Sequence, residues 1–301
     1  MLRLRLTIGV LAVVLGWSSA AFGGAVILGG DDLGDHGSFS AGANQQGWLY
    51  IQKAVDNILN IPGNVTRPGN DGSIAALGSS PSSDTVDNPG AAIGSAASVL
   101  GKTINYYDGT AAISQFFDDL AAGNVNPAMI WIAGSQDDSQ ANDIDAAEGQ
   151  VLEDNAARIA SFVNSGGGLM SHGCDDLPCS DVYTWLTAAI PGLIPVEDCN
   201  EVGAALTPAG QAAFPGLSNS DIDSNAGPCH NHFEGNFGSL SVLALDGEGR
   251  PMIIGGGAGT RLAPAATAPA VGHVAMGVIL VVLLLVTQHR LRRREAHARV
   301  L

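Results

Sequence analysis

The chain has few basic residues, with 13 Lys and Arg against 29 Asp and Glu among its 301 residues. The imbalance is greatest between residues 25 and 262, where six basic residues stand against 28 acidic ones, a formal net charge of −22. Such an acidic surface repels phosphate backbones, so nucleic acid is excluded as an expected partner. The charge favours solubility outside the cell or, alternatively, the binding of divalent cations by carboxylate oxygens.

Long apolar runs are confined to the two ends of the chain. The first of them follows Arg3 and Arg5 and leads into small residues, which predicts a cleaved signal peptide. The second is near the lower limit of about 17 residues for a membrane-spanning helix, and arginines follow it. We therefore divide the chain into a signal peptide at 1–24, an α/β domain at 25–262, a linker at 263–270, a transmembrane anchor at 271–288 and a basic cytoplasmic tail at 289–301. This division predicts an exported protein, anchored in the cell membrane, whose main domain lies outside the cytoplasm.

Cysteine is also scarce, with only Cys174, Cys179, Cys199 and Cys229. An even number of cysteines in an exported chain favours disulfide bonds, and four cysteines allow three pairings. We favour Cys174 with Cys179 and Cys199 with Cys229, because the first pair closes a short local loop.

Apolar patterning predicts alternating strands and helices. Short apolar runs that end at glycine, such as Ala128–Ala133, are typical of buried parallel strands, and Asp143–Asn164 has the strongest helical spacing. Leu240–Leu245 and Pro251–Ile254 flank a turn sequence and predict a closing β-hairpin. Residues 61–90 show no apolar period and are expected to form a long loop. The alternation of predicted strands and helices along the chain predicts an α/β fold, with an open, mostly parallel sheet and helices on both faces.

An acidic segment follows the first predicted strand, in the sequence AVILGGDDLGDHG. Asp31, Asp32, Asp35 and His36 lie directly after the apolar run, and His172 follows a later short strand at Gly168–Met170. Ligands in open α/β sheets bind beyond the carboxyl ends of the strands. We therefore expect these side chains to meet at one edge of the sheet.

The sequence FVNSGGGLMSHG, at the end of the long predicted helix, resembles the class I glutamine amidotransferase-like superfamily, including its ThuA-like branch. The resemblance implies a flavodoxin-like sheet. It also implies a triad of Cys174 as nucleophile, His232 as base and Glu234 as orienting carboxylate. The nucleophile position of the family falls on Gly173, one residue before the cysteine, so glutaminase activity is not expected. The short span with terminal arginines is similar to bacterial C-terminal sorting signals, although no Pro-Glu-Pro motif precedes it.

A mixed set of carboxylates and imidazoles forms a second candidate site at the same edge. Zinc, manganese and iron accept such ligands. The candidate metal ligands are Asp32, Asp35, His36, His172 and His230, with His232 as an alternative to His230. Asp31, Asp32 and His172 are also the candidate residues for binding a small ligand. The simpler roles are capping of the following helix by Asp31 or Asp35 and a hydrogen bond from His172 at a tight turn.

Two classes of function follow from these residues. The first is a membrane-anchored domain that keeps the superfamily fold and binds a small molecule, a metal ion or a cell-surface partner. The alternative is an exported metal-dependent hydrolase that uses the Asp31 to His36 loop, His172 and either His230 or His232. Fold alone does not decide between them.

Overall fold

The computed structural model describes residues 23–62, 64, 66–134, 143–173, 180–200, 202–223 and 229–256, with the backbone alone at 180–184. Cys174, Cys179, the predicted anchor and residues 1–22 of the predicted signal peptide lie outside these residues. Within them, no helix combines the length and the apolar character needed to cross a membrane.

The described residues form twelve strands and eight helices. The strands are β1 (Val26–Gly29), β2 (Gly37–Ser40), β3 (Ala43–Gln46), β4 (Ile74–Leu77), β5 (Ile104–Tyr107), β6 (Met129–Ile132), β7 (Gly168–Ser171), β8 (Leu193–Val196), β9 (Ala205–Leu206), β10 (His232–Gly235), β11 (Ser241–Leu245) and β12 (Pro251–Gly256). The helices are α1 (Gly47–Asn60), α2 (Pro89–Val99), α3 (Thr110–Ala122), α4 (Ala146–Asp154), α5 (Ala156–Asn164), α6 (Ser180–Ala189), α7 (Pro208–Ala213) and α8 (Asn219–Ile222).

Eight of the strands form one mixed sheet in the order β5-β4-β6-β7-β1-β12-β11-β9. The first five are parallel, whereas β12, β11 and β9 add antiparallel pairs beside β1. The predicted α/β class and mostly parallel sheet are therefore confirmed. The closing hairpin is also present, since β11 and β12 are consecutive and antiparallel.

The order of the parallel strands differs from the flavodoxin order that the resemblance implied. Numbered along the chain, flavodoxin strands lie in the order 2-1-3-4-5, whereas here the first strand lies at the end of the parallel set, between β7 and β12. The described sheet is therefore mostly parallel, but its strand order is not that of flavodoxin. One edge of β1 pairs with β7 and the other with β12, so β4 has no place beside it. After β1 the chain therefore crosses past β7 and β6 to reach the position of β4 in the sheet.

The long loop predicted at residues 61–90 is the second correction, because β4 lies within it. Its sequence, Ile-Ala-Ala-Leu, is fully buried and pairs with β5 on one side and β6 on the other. A four-residue strand that is half alanine has little β-propensity of its own. Its position between β5 and β6, each also four residues long, therefore decides its structure.

Helices cover the sheet with regularly spaced apolar side chains. Trp48, Ile51, Val55 and Ile58 of α1 recur at helical spacing and are all buried. Met129 and Trp131 of β6 and Phe116 and Phe117 of α3 are also fully buried. Helix α1 contacts β1 and β7, the strands that precede the acidic loop and His172. The core therefore holds that edge of the sheet in place.

The long helix predicted at Asp143–Asn164 is divided at Asn155 into α4 and α5. Asp145 caps α4, and its side chain accepts from the Glu148 N–H while Glu148 accepts from the Asp145 N–H at 3.0 Å. The other Glu148 oxygen accepts the Gly109 N–H at 2.7 Å. Glu148 thus joins two helix starts through one buried carboxylate.

This carboxylate predicts a pH dependence of stability. Burial raises the pKa of Glu148 above its ordinary value of 4.5, although the N–H groups of Asp145 and Gly109 act in the opposite direction. The folded chain therefore holds the proton more tightly, and this contribution is full below about pH 4.5 and is lost as the pH rises through the raised pKa. Chemical denaturation of wild type and Glu148→Gln should give a difference in unfolding free energy that falls over this range. A difference that is independent of pH would contradict the prediction.

Candidate functional site

The carboxyl ends of β1 and β7 bring Asp31 and His172 together. Leu28 of β1 is level with Ser171 of β7, so the next residues of both strands leave the sheet side by side. The Asp31 Oδ1 lies 2.8 Å from the His172 Nδ1, and the two side chains are 0 and 1 % exposed. This is a fully buried contact between carboxylate and imidazole, as expected from the sequence.

The tautomer of His172 follows from its second contact. Trp131 Nε1 lies 3.1 Å from His172 Nε2, and an indole N–H can only donate. Nε2 therefore accepts, and Nδ1 carries the proton that it donates to Asp31. The rings of Trp131 and Tyr50 pack against this imidazole, with centroids at 5.5 and 6.2 Å. In this arrangement neither ring nitrogen has a lone pair left for a metal ion.

Asp32 forms a second carboxylate-imidazole pair beside the first. Its Oδ2 lies 2.9 Å from the His36 Nε2, with side-chain exposures of 2 % for Asp32 and 18 % for His36. The same oxygen accepts the Cys229 N–H at 2.8 Å. Asp32 therefore joins the acidic loop to a distant segment of the chain.

We define that distant segment, residues 229–231, as the strap. The Asn231 N–H donates to the Gly30 carbonyl, and the Asn231 Oδ1 accepts the Asp198 N–H at 2.9 Å. A disulfide joins Cys229 to Cys199, which confirms this predicted pairing. The strap is thus fixed to the acidic loop on one side and to residues 198–199 on the other.

Two glycines make the close approach of these segments possible. A Cβ at Gly29 would overlap the Asp31 Oδ2, and a Cβ at Gly30 would overlap the Asn231 carbonyl. The Gly-Gly pair that ends the first apolar run therefore has a packing role. The sequence pattern indicates only that a strand ends at this pair.

The later histidines lie near this edge but form contacts of their own. His230 is fully buried, and its Nε2 contacts the Ile222 carbonyl at 3.0 Å. His232 Nε2 lies 3.7 Å from the Glu234 Oε1, beyond hydrogen-bond distance, and the Glu234 side chain is 63 % exposed. The third member of the predicted triad, Cys174, lies outside the described residues.

Several atoms at the site have unused hydrogen-bonding capacity. Asp31 Oδ2, Asp32 Oδ1 and the Ser171 hydroxyl are buried and have no hydrogen-bond partner among the described residues. Asp35 is also buried, in the turn that its N–H closes on the Asp32 carbonyl. The two adjacent aspartates therefore each have one engaged oxygen and one that can accept a further donor.

Sequence reasoning did not assign four residues to this site, namely Tyr50, Trp131, Ser171 and Asn231. Trp131 and Ser171 lie on adjacent strands, β6 and β7, so pairing of those two strands was the signal that could have found them. Asn231 lies between His230 and His232 in the sequence, but nothing in that pattern indicates its bond to Asp198.

Among the residues that the structure describes, no group of three or more His, Cys, Asp and Glu side chains is arranged to hold a metal ion. Comparison of the chain with protein-family models, curated proteins and solved structures finds no match. The amidotransferase-like resemblance and the metal site therefore stay predictions from the sequence.

Proposed function

We propose that this chain is an exported, membrane-anchored domain that binds a small ligand or a divalent metal ion at the carboxyl edge of its sheet. The observation that carries the proposal is the buried pair Asp31 and Asp32, each with one carboxylate oxygen that meets no donor among the described residues. Burying a charged group without full hydrogen bonding is costly. An ammonium group or a cation that contacts both free oxygens would remove that cost.

Two arrangements support binding in preference to catalysis. Both ring nitrogens of His172 are engaged, by Asp31 and by Trp131, so this imidazole has no position for a substrate proton or a metal ion. The exposed Glu234 does not reach His232 within hydrogen-bond distance, so it orients the proposed base weakly. Glutaminase activity of the resembled superfamily is therefore not part of the proposal, and the metal-dependent hydrolase has less support.

The proposed location rests on the two ends of the chain and on the domain between them. The signal-peptide pattern and the apolar run followed by arginines support export and anchoring. The disulfide between Cys199 and Cys229 is typical of an oxidising compartment. The acidic composition of residues 25–262 favours the solubility of that domain outside the cell.

Substitution of Asp32 tests the proposed binding site. In Asp32→Asn the amide oxygen can still accept from His36 and Cys229, whereas the negative charge and the free oxygen are lost. Because a charge-assisted hydrogen bond contributes about 1.5–3 kcal/mol, we expect binding to weaken about tenfold or more. The full-length protein in detergent would be titrated with Mn²⁺, Zn²⁺, Ca²⁺ and a panel of small primary amines, read by calorimetry.

Asp154→Asn is the matched control, because Asp154 is exposed at the end of α4 and bonds only to Gln150 among described side chains. The control should bind as the wild type does. If no probe binds to the wild type, or if both variants bind equally well, the proposed site is wrong.

A further inference from the structure

A cleft with a volume of about 170 Å³ lies at the amino edge of the sheet, opposite the acidic loop. Phe117 and Leu120 of α3 and Arg158 and Phe162 of α5 line it, together with Arg67 from the segment before β4. Arg67 donates to Asn126 and Ser165, which precede β6 and β7 and so mark the amino ends of those strands.

The cleft concentrates positive charge in an acidic domain. Arg67 and Arg158 are two of the six basic residues between positions 25 and 262. Arg158 has an exposed ion pair with Asp118 at 3.0 Å. The partners of Arg67 are uncharged, namely the Asn126 Oδ1 at 2.6 Å and the Ser165 hydroxyl at 3.3 Å, and no carboxylate pairs with it among the described residues. Its positive charge is therefore not neutralised by the described part of the protein.

The surroundings of Arg67 strengthen its interaction with an anion. Its guanidinium carbon lies 4.9 Å from the centroid of the Phe162 ring, and burial lowers its pKa from the ordinary value. A cation that is partly removed from water interacts more strongly with a neighbouring charge. Phe117, Leu120 and Phe162 line the cleft beside it and make its wall apolar.

We propose that this cleft binds a small organic monocarboxylate. The carboxylate contacts Arg67 and Arg158, and the apolar body packs against Phe117, Leu120 and Phe162. A guanidinium pairs with a carboxylate through two parallel hydrogen bonds, which fixes the orientation of the ligand. The cleft is smaller than the 300–1,000 Å³ or so of sites for drug-sized molecules, so it fits a ligand of about the size of benzoate.

Benzoate is the probe that tests the proposal, with benzyl alcohol as a neutral molecule of similar size and inorganic phosphate as an anion without an apolar body. Binding to the full-length protein in detergent would be measured by calorimetry for the wild type, Arg158→Gln and Arg67→Gln. We expect benzoate to bind best and each arginine variant to bind it about tenfold or more weakly. Lys53→Gln, which removes a positive charge from α1, should leave binding unchanged.

The exposed position of Arg158 keeps the test independent of folding, because its loss removes only a surface ion pair. Equal binding of benzoate and benzyl alcohol would overturn the proposal and leave an apolar cleft only. Equal binding of benzoate by the wild type and Arg158→Gln would also overturn it, because the carboxylate would then not contact Arg158. Stronger binding of phosphate, or no binding of benzoate at millimolar concentration, would overturn it as well.

Discussion

Replacing His172 by Ala is expected to lower the free energy of unfolding by about 3–5 kcal/mol, since it removes a hydrogen-bond donor from the buried Asp31 carboxylate and a large buried ring from the core. The Asp31 carboxylate would lose its contact with Nδ1 at 2.8 Å, and the Trp131 N–H would lose its acceptor at 3.1 Å. The imidazole is 1 % exposed, so its removal also leaves a cavity. Equilibrium denaturation by urea measures the difference directly.

Two further variants separate the effect of the lost hydrogen bond from the effect of the cavity. In His172→Asn the side-chain amide can still donate to Asp31, so the loss should be smaller than in His172→Ala. In the double variant Asp31→Ala, His172→Ala both partners are absent, and the combined loss should be less than the sum of the single losses. Additive losses would show that the pair contributes no coupling and that the imidazole acts only by filling space.

Removing the disulfide with Cys199→Ser and Cys229→Ser is expected to destabilise the chain by about 3–4 kcal/mol, from the entropy of closing a loop of this length. The two cysteines are separated by 30 positions, which includes α7, α8 and the segment that leads to the strap. Denaturation of the double variant without reductant gives the global change. A loss below about 1 kcal/mol would contradict the chain-entropy argument.

Hydrogen exchange tests the local effect of the same change. The N–H groups of Cys229 and Asn231 donate to Asp32 and Gly30 across the contact that the disulfide supports. The exchange rates of these two amides should increase from the wild type to the double variant. This increase should be larger than that for the amides of β6, which lie in the core. Adding reductant to the double variant then measures the contribution of the predicted Cys174–Cys179 bridge alone.

Local sequence predicted those parts of the fold whose structure depends on near neighbours. The apolar run that ends at Gly29 and Gly30 predicted strand β1. The two apolar segments that flank a turn sequence predicted the hairpin of β11 and β12. The four residues of β4 carry no such pattern, and their neighbours β5 and β6 decide their structure. The place of β1 beside β12 depends on pairing between the two ends of the domain, which no local pattern records.

The candidate site was predictable to a similar degree. The carboxyl-edge rule brought Asp31 and His172 together correctly, because it needs only the strand ends to be level. It could not indicate that Trp131 would engage the second nitrogen of His172, since this depends on the order of β6 and β7 and on side-chain orientation. That single contact removes His172 from the set of available metal ligands.

The position of β1 also has a consequence for when the sheet can form during synthesis. Among the described strands, the first to be made pairs with the last, since Leu28 of β1 lies opposite Ile254 of β12. The cost of closing so long a loop is paid before the pairing can form. The eight-stranded sheet therefore cannot be completed while β12 is still inside the ribosome. Folding of the described domain must finish after the synthesis of β12, whatever part of the sheet forms before it.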